Sequence, residues 1–274
     1  MPETLRNPLA GKRILITRAV AQSEALACEL SARGALPAVL PLVSFAEPED
    51  FAPLDRAIAE IAQFGWLILT SAQAVRAFTA RAADLQRPLV RPDSLPRIAC
   101  VGPVTAEAAR KASLPVEYVA ATHSGVALVN ELGSKLHGAK VLLPRSDRAN
   151  PDLPDALQHH GAQVTEVIAY RTLRPDEVDQ AQLKNAAGGQ ADAILFFSPS
   201  AVQHFTELVG AEQLHAFQDK LAITAVGPVT AKALREAGVT RAVVAADTTA
   251  AAVMEALEKY FAAAKAAPAG VQQA

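Results

Sequence analysis

Three motifs occur twice in this chain, in the same order and at nearly one spacing. KRILITR at Lys12–Arg18 resembles KVLLPR at Lys140–Arg145, so that Arg145 stands 127 positions after Arg18. Gly34 and Gly161, each ending the helical stretch that follows, keep that 127-residue offset. LTSAQAVRAF at Leu69–Phe78 matches FSPSAVQHF at Phe197–Phe205, and Phe205 again follows Phe78 by 127. ACVGPVTAEAAR at Ala99–Arg110 matches TAVGPVTAKALR at Thr224–Arg235, with Gly227 lying 125 positions after Gly102. Such a period is far too long for a solenoid, and it marks two copies of one domain-sized unit.

Each copy alternates short apolar runs with longer alanine-rich stretches of helical period. Strands are expected at Arg13–Thr17, Ala38–Phe45, Trp66–Thr70, Arg97–Val101, Lys140–Leu143, Val164–Thr172, Ala193–Phe197, Ala222–Val226 and Arg241–Ala245. Helices are expected at Ala21–Arg33, Ala72–Ala83, Thr105–Ala112, Leu153–His160, Val229–Ala237 and Thr249–Ala264. The strand runs are apolar throughout rather than alternating, the mark of a parallel sheet covered by helices on both faces. The fold class is α/β, as two similar doubly wound, mainly parallel-sheet domains.

A cut near Gly138 would separate the copies in sequence. Two proline-flanked segments, LPLVSFAEP (40–48) and VIAYRTLRP (167–175), occupy equivalent places and are β-branched and aromatic enough to run together as a two-stranded β connector. That alternative gives a discontinuous first domain, 1–42 plus 173–265, a second domain, 46–169, and a flexible tail over 266–274.

Composition removes several classes of function. With 26 Lys and Arg against 28 Asp and Glu, the formal net charge is −2, which excludes a generally basic nucleic-acid binder. The two cysteines, Cys28 and Cys100, exclude a disulfide framework or a cysteine zinc site, and both are expected to be small buried hydrophobes. The N-terminus is polar, and the apolar runs are of strand length rather than the ~20 residues that cross a bilayer, so a cytoplasmic protein without membrane contact is expected. Walker A, GxGxxG after the first strand, HExxH and GxSxG are all absent from the sequence, and His159-His160 fits a solvated helix end. No metal or cofactor is expected.

What remains are hydroxyl-rich turns at strand ends that lead into helices, where open parallel sheets bind ligands. Thr70-Ser71 and Ser198-Pro199-Ser200 read as N-caps. Gly102-Pro103 with Thr105, and Gly227-Pro228 with Thr230, offer a tight turn and exposed N–H groups suited to an anion. Simple capping explains any one of them; four such turns on two similar domains would suit a polyanion bound in a cleft. Arg18 and Arg145 end equivalent strands and Arg148 follows, placing forked cations at that edge, where a salt bridge is the competing role. Tyr170 lies in the second linker, and its phenol can donate a proton while staying neutral at pH 7. An interface tyrosine is the competing reading.

The ordered set of TR near the N-terminus, TSxxAVxxF, VGxxTAxxxR, LLPR, AYRT, SPSAVxxF and a second VGxxTAxxL resembles the uroporphyrinogen-III synthase family over about Lys12 to Leu257. The resemblance implies two α/β domains joined by a two-stranded connector, with the first strand-helix unit packing with the C-terminal half. It implies hydroxymethylbilane, a linear tetrapyrrole with eight carboxylates, as substrate, no cofactor, and a role in haem biosynthesis. The implied reaction is loss of the terminal hydroxyl as water, attack through a spiro intermediate, and ring closure with ring D inverted. Tyr170 matches the family's linker tyrosine, the acid assisting hydroxyl departure. Thr17, Arg18, Ser71, Ser198, Ser200 and Thr230 fall on the family's cleft motifs, with Gly102, Thr105 and Gly227 beside them, while the stretch after Arg145 departs from the pattern and Arg148 is expected to substitute there from an adjacent turn. Here Ser146-Asp147 follow Arg145 where many members have Gly-Asn, and Asn150 stands where they have a later arginine. A monomer is expected, since two domains supply a complete cleft. The reading from another class is a non-catalytic two-domain protein that binds a tetrapyrrole-like small molecule.

Overall fold

The computed structural model describes residues 7–87, 89, 95–122, 124–175, 177–247 and 249–266. From residue 267 on, the expected tail lies outside them. Strands and helices alternate along the chain and divide between two compact units, one with residues up to Ser44 and from Arg174 on, the other Phe45–Leu173. The chain changes unit inside each proline-flanked segment, while Gly138 lies within the second unit.

The first unit holds β1 (Arg13–Ile16), β2 (Leu36–Val39), β9 (Ala193–Phe196), β10 (Ala222–Val226) and β11 (Val243–Ala245), in sheet order β11-β10-β9-β1-β2. All its neighbours pair parallel. The second holds β3 (Ser44–Ala46), β4 (Trp66–Leu69), β5 (Arg97–Cys100), β6 (Val116–Val119), β7 (Lys140–Ser146) and β8 (Gln163–Leu173), in order β3-β8-β7-β4-β5-β6. From β8 to β6 these too run parallel. The two expected linker strands are therefore neighbours, β3 beside β8.

The copies are exchanged. The first unit takes its first two strands from the N-terminal copy and its last three from the C-terminal copy; the second unit does the reverse. Numbered within a copy, and leaving aside the extra edge strand β3 of the second sheet, both read 5-4-3-1-2, the doubly wound order whose ligand crevice opens between strands 1 and 3, at their C-terminal ends. That places one crevice at the ends of β1 and β9, and the other at the ends of β7 and β4.

Burial on both faces explains why the strands lack polar alternation. On β4, Leu67 and Leu69 join a core with α2 (Ala52–Ala59), α3 (Ala72–Asp84) and α4 (Pro103–Lys111), while Trp66 and Ile68 join another with α5 (Gly125–Leu132) and α6 (Asp152–His159). In the first unit, Ile14, Ile16, Ala193 and Leu195 pack against α1 (Glu24–Ala32) and α11 (Ala250–Ala266). On α8 (Pro199–Val209), Phe205 meets Phe196 and Phe217 at ring centroid distances of 5.4 and 5.9 Å.

Three expectations change. The strand anticipated over Ala38–Phe45 is two strands in two sheets, parted at Pro41, which has no N–H for a ladder bond. β6 and the helices α2, α5, α7 (Gln180–Ala187), α8 and α9 (Ala211–Phe217) add elements outside the expected ranges. Cys100 is buried as expected, but Cys28 is exposed, on the outer face of α1. No described helix is long and apolar enough to cross a membrane.

Candidate active site

In the second unit the crevice holds a tyrosine–serine pair. Ser71 has extended backbone angles (φ −153°, ψ 155°) and caps α3, its Oγ accepting the Ala74 N–H at 3.0 Å. The same Oγ lies 3.2 Å from the Tyr170 hydroxyl. With one Ser71 lone pair held by the helix, its own proton is free to point at the phenol oxygen. Tyr170 is 9% exposed, and its ring meets the Phe45 ring in a T-shaped contact at a centroid distance of 5.5 Å. Burial pushes its pKa above the ordinary phenol value; the Ser71 hydrogen bond opposes this, Asp147 adds to it, and Arg145 opposes it. The result is a phenol that stays protonated at neutral pH, beside a hydroxyl and a helix N-terminus that favour its anion once a proton leaves.

Tyr170 also borders a cleft of about 300 Å³ lined by Phe45, Phe51, Gln73, Ala77 and Arg81 among others. Arg81 is not a free cation there. It grips Asp55 with two bonds of 2.7 and 2.6 Å and lies 4.0 Å from the Phe51 ring centroid. That grip holds the Asp55 carboxyl below its usual pKa.

Arg145 differs from the expected clamp. Its buried guanidinium bonds Glu166 at 3.0 Å and the Asn150 carbonyl, so it serves the turn after β7. Arg148, in the same turn, is exposed. Gly102 starts α4 with φ −157°, extended backbone that does not require glycine, and Thr105 is buried in the first turn.

In the first unit's crevice several polar groups are engaged by the unit's own bonds. Thr17 is fully buried, and its hydroxyl donates to the Leu195 carbonyl at 2.7 Å, so it ties β1 to β9 rather than facing outward. His204 Nδ1 lies 2.6 Å from the Leu42 carbonyl. Ser198 caps α8 by accepting the Ala201 N–H at 3.2 Å, with Ser200 half-buried on the first turn. Arg18 lies over Phe197, 4.9 Å from the ring centroid. Gly227 starts α10 (Pro228–Glu236) at φ +89°, where glycine is required, and Thr230 is buried. Among the described residues no group of three or more His, Cys, Asp or Glu is placed to hold a metal ion.

The residue-by-residue reading left out Asp147 and Thr172. Asp147 Oδ1 accepts the Thr172 N–H at 2.8 Å, and the Ser146 and Thr172 hydroxyl oxygens are 2.8 Å apart. The one signal in the sequence was that Ser146-Asp147 departs from the pattern the resemblance led one to expect.

The family model described as Uroporphyrinogen-III synthase HemD matches residues 24–255. The chain belongs to the uroporphyrinogen-III synthase family. A curated relative, uroporphyrinogen-III synthase of Synechococcus elongatus, is 34% identical over 84% of this chain and 88% of its own length. Chloroplastic uroporphyrinogen-III synthase of rice (Oryza sativa subsp. japonica) is 28% identical over 82% of this chain and 72% of its own. Among solved structures, a mutant uroporphyrinogen III synthase from the extreme thermophile Thermus thermophilus matches with a TM-score of 0.66 and 21% identity, over 94% of this chain and 100% of that one. At that identity the structural match concerns the fold: two α/β domains with mainly parallel sheets.

Proposed function

We propose that this chain closes hydroxymethylbilane into the type III uroporphyrinogen ring with Tyr170 as the acid. The observation that carries this is the buried Tyr170 phenol, 3.2 Å from the Ser71 hydroxyl at the head of α3, in a chain of this family. As the terminal C–O bond breaks, the phenol gives its proton to the departing hydroxyl, which leaves as water. Ser71 turns its proton to the phenolate, and the positive end of α3 faces the same charge. The substituted carbon of the last pyrrole then attacks, and rearrangement through the spiro intermediate inverts ring D. The proton released as the macrocycle regains its pyrroles returns to Tyr170, so the enzyme is unchanged and one water is lost.

Inversion needs positioning more than chemical force, because closure without it gives the type I isomer spontaneously. Holding the reacting carbon close is worth several kcal/mol. Gly102 and the exposed Arg148 are the proposed substrate contacts beside Tyr170 in the second unit, a helix-start N–H group and a guanidinium meeting carboxylates. Arg145 and Thr105 shape the wall behind them, while Thr17, Arg18, Ser198, Ser200, Gly227 and Thr230 build the equivalent turns of the first unit. The reading includes a monomer acting in the cytoplasm on this small molecule alone, with neither cofactor nor nucleic acid.

Product isomer analysis tests it. With hydroxymethylbilane, the protein diverts product from the type I to the type III isomer; an unchanged isomer ratio with folded protein would leave only a binding protein. Tyr170→Phe should lower kcat by about 10²-fold, the low end for a positioned acid.

A further inference from the structure

Tyr170 sits just past a slip in its sheet. Along β7 and β8, Arg145 pairs with Ile168 but Ser146 pairs with Tyr170, leaving Ala169 without an opposite number on β7. Such a bulge re-aims the side chains that follow it, and the ladder alone does not hold them. Ser146 and Asp147 do. Asp147 donates its N–H to the Tyr170 carbonyl at 3.3 Å. Its Oδ1 accepts the Thr172 N–H at 2.8 Å and the Ser146 hydroxyl at 3.0 Å. The Ser146 oxygen in turn lies 2.8 Å from the Thr172 hydroxyl and accepts the Arg148 N–H at 3.2 Å. The turn is thus fastened on both sides of Arg171, which points the other way, to Glu49 and the Glu47 carbonyl.

We propose that Asp147 is a positioning residue for Tyr170: through the Ser146–Arg148 turn its carboxylate fixes the segment from Tyr170 to Thr172 and so holds the phenol hydroxyl against Ser71. This rests on the reading of Tyr170 as the acid. Asp147 itself is exposed, so its worth to global stability is small while its worth to the geometry of one side chain is large. A misplacement of about 1 Å at a reacting group is enough to slow catalysis substantially.

The test is a set of variants assayed for type III product, with unfolding temperature measured on each. Asp147→Ala should lower kcat by roughly tenfold with KM within about twofold, a loss of alignment rather than of binding. Asp147→Asn keeps an oxygen that accepts both bonds and should restore kcat to within about twofold of the parent. In the Tyr170→Phe background Asp147→Ala should cost nothing further, since the group it aligns is gone. Amide exchange at Thr172 should quicken in Asp147→Ala and stay slow in Asp147→Asn. Ser146→Ala, a milder cut of the same network, should lower kcat in the same direction and guards against Asp147→Ala failing to fold. Parental kcat in both Asp147→Ala and Ser146→Ala, or an undiminished Asp147→Ala loss in the Tyr170→Phe background, overturns the proposal. Parental turnover by Tyr170→Phe alone is a separate outcome, which removes the acid role itself.

Discussion

The two crevices share strand order, repeat and helix cap, yet one has polar groups tied to its own backbone while the other sets a buried phenol beside its capping serine. Positions 127 apart make the comparison direct. Ser198 stands where Ser71 does, and each caps its helix. Val43 stands where Tyr170 does, and His204 where Ala77 does. In the first unit, His204 meets the Leu42 carbonyl and Thr17 binds β1 to β9. In the second, Ala77 leaves the 300 Å³ cleft open beside Tyr170. The repeat therefore supplied the same polar turn twice. Differences at a few neighbouring positions set a buried phenol beside one turn and a valine at the equivalent place beside the other.

The largest effect should come from removing the donor. Beyond its loss of kcat, Tyr170→Phe should leave the unfolding temperature nearly unchanged, since the ring and its edge contact with Phe45 remain. The pH profile gives a second check. The proposed acid would act in its neutral form, and burial raises the Tyr170 pKa above the ordinary value near 10, so activity from this group should be present below that point and lost as pH rises through the raised value. An alkaline loss of kcat centred well below about pH 10 that vanishes in Tyr170→Phe would contradict the burial argument.

Exchanging His204 and Ala77 tests the comparison from both ends. His204→Ala strands the buried Leu42 carbonyl and leaves a hole, which should cost about 2–4 kcal/mol of unfolding free energy in the first unit. Ala77→His should do the opposite, filling the cleft and lowering activity with little change in stability. If Ala77→His keeps parental turnover, the open cleft has no part in the reaction.

Much of this fold was legible because parallel strands buried on both faces are written as continuous apolar runs, and because the copies repeat their caps at a fixed offset. Trp66–Leu69 and Ala193–Phe196 were plain for that reason. Pro41 and β6 were less so: a strand that leaves one sheet for another looks continuous, and VEYV at an edge lacks a fully apolar signal. Ser71 and Tyr170 were legible as residue types at strand ends. What a sequence does not show is which side chains are already engaged. Arg145 has the residue type and place of a clamp, but a carboxylate 21 positions away occupies it. The role of Asp147 depends on a one-residue slip that leaves no trace in composition or period.

The equivalent glycine turns give a smaller contrast. Gly227 at φ +89° occupies a region nearly closed to other residues, whereas Gly102 at φ −157° does not. Gly227→Ala should cost about 1–3 kcal/mol through backbone strain alone, and Gly102→Ala should escape that strain. Equal losses in thermal unfolding would show that the two turns are alike in solution.

The smallest effect asks whether the two units fail together. Cys28 is exposed on α1 in the first unit; Cys100 is buried at the end of β5 in the second, its thiol pushed up to about 12 by burial against the opposing pull of Arg110. At pH 8 the thiolate is the reactive form, so one thiol per chain should react quickly with a disulfide reagent and Cys100 should wait for its unit to open. Cys28→Ser should leave activity unchanged and remove the fast phase, making Cys100 a clean reporter. In the His204→Ala background the first unit is weakened while the core around Cys100, built from Leu67, Ile98 and Val75, is untouched. Cys100 should then stay as slow as in the parent. If it quickens in step with the loss of stability, the units unfold as one, and the first unit supports the second rather than merely resembling it.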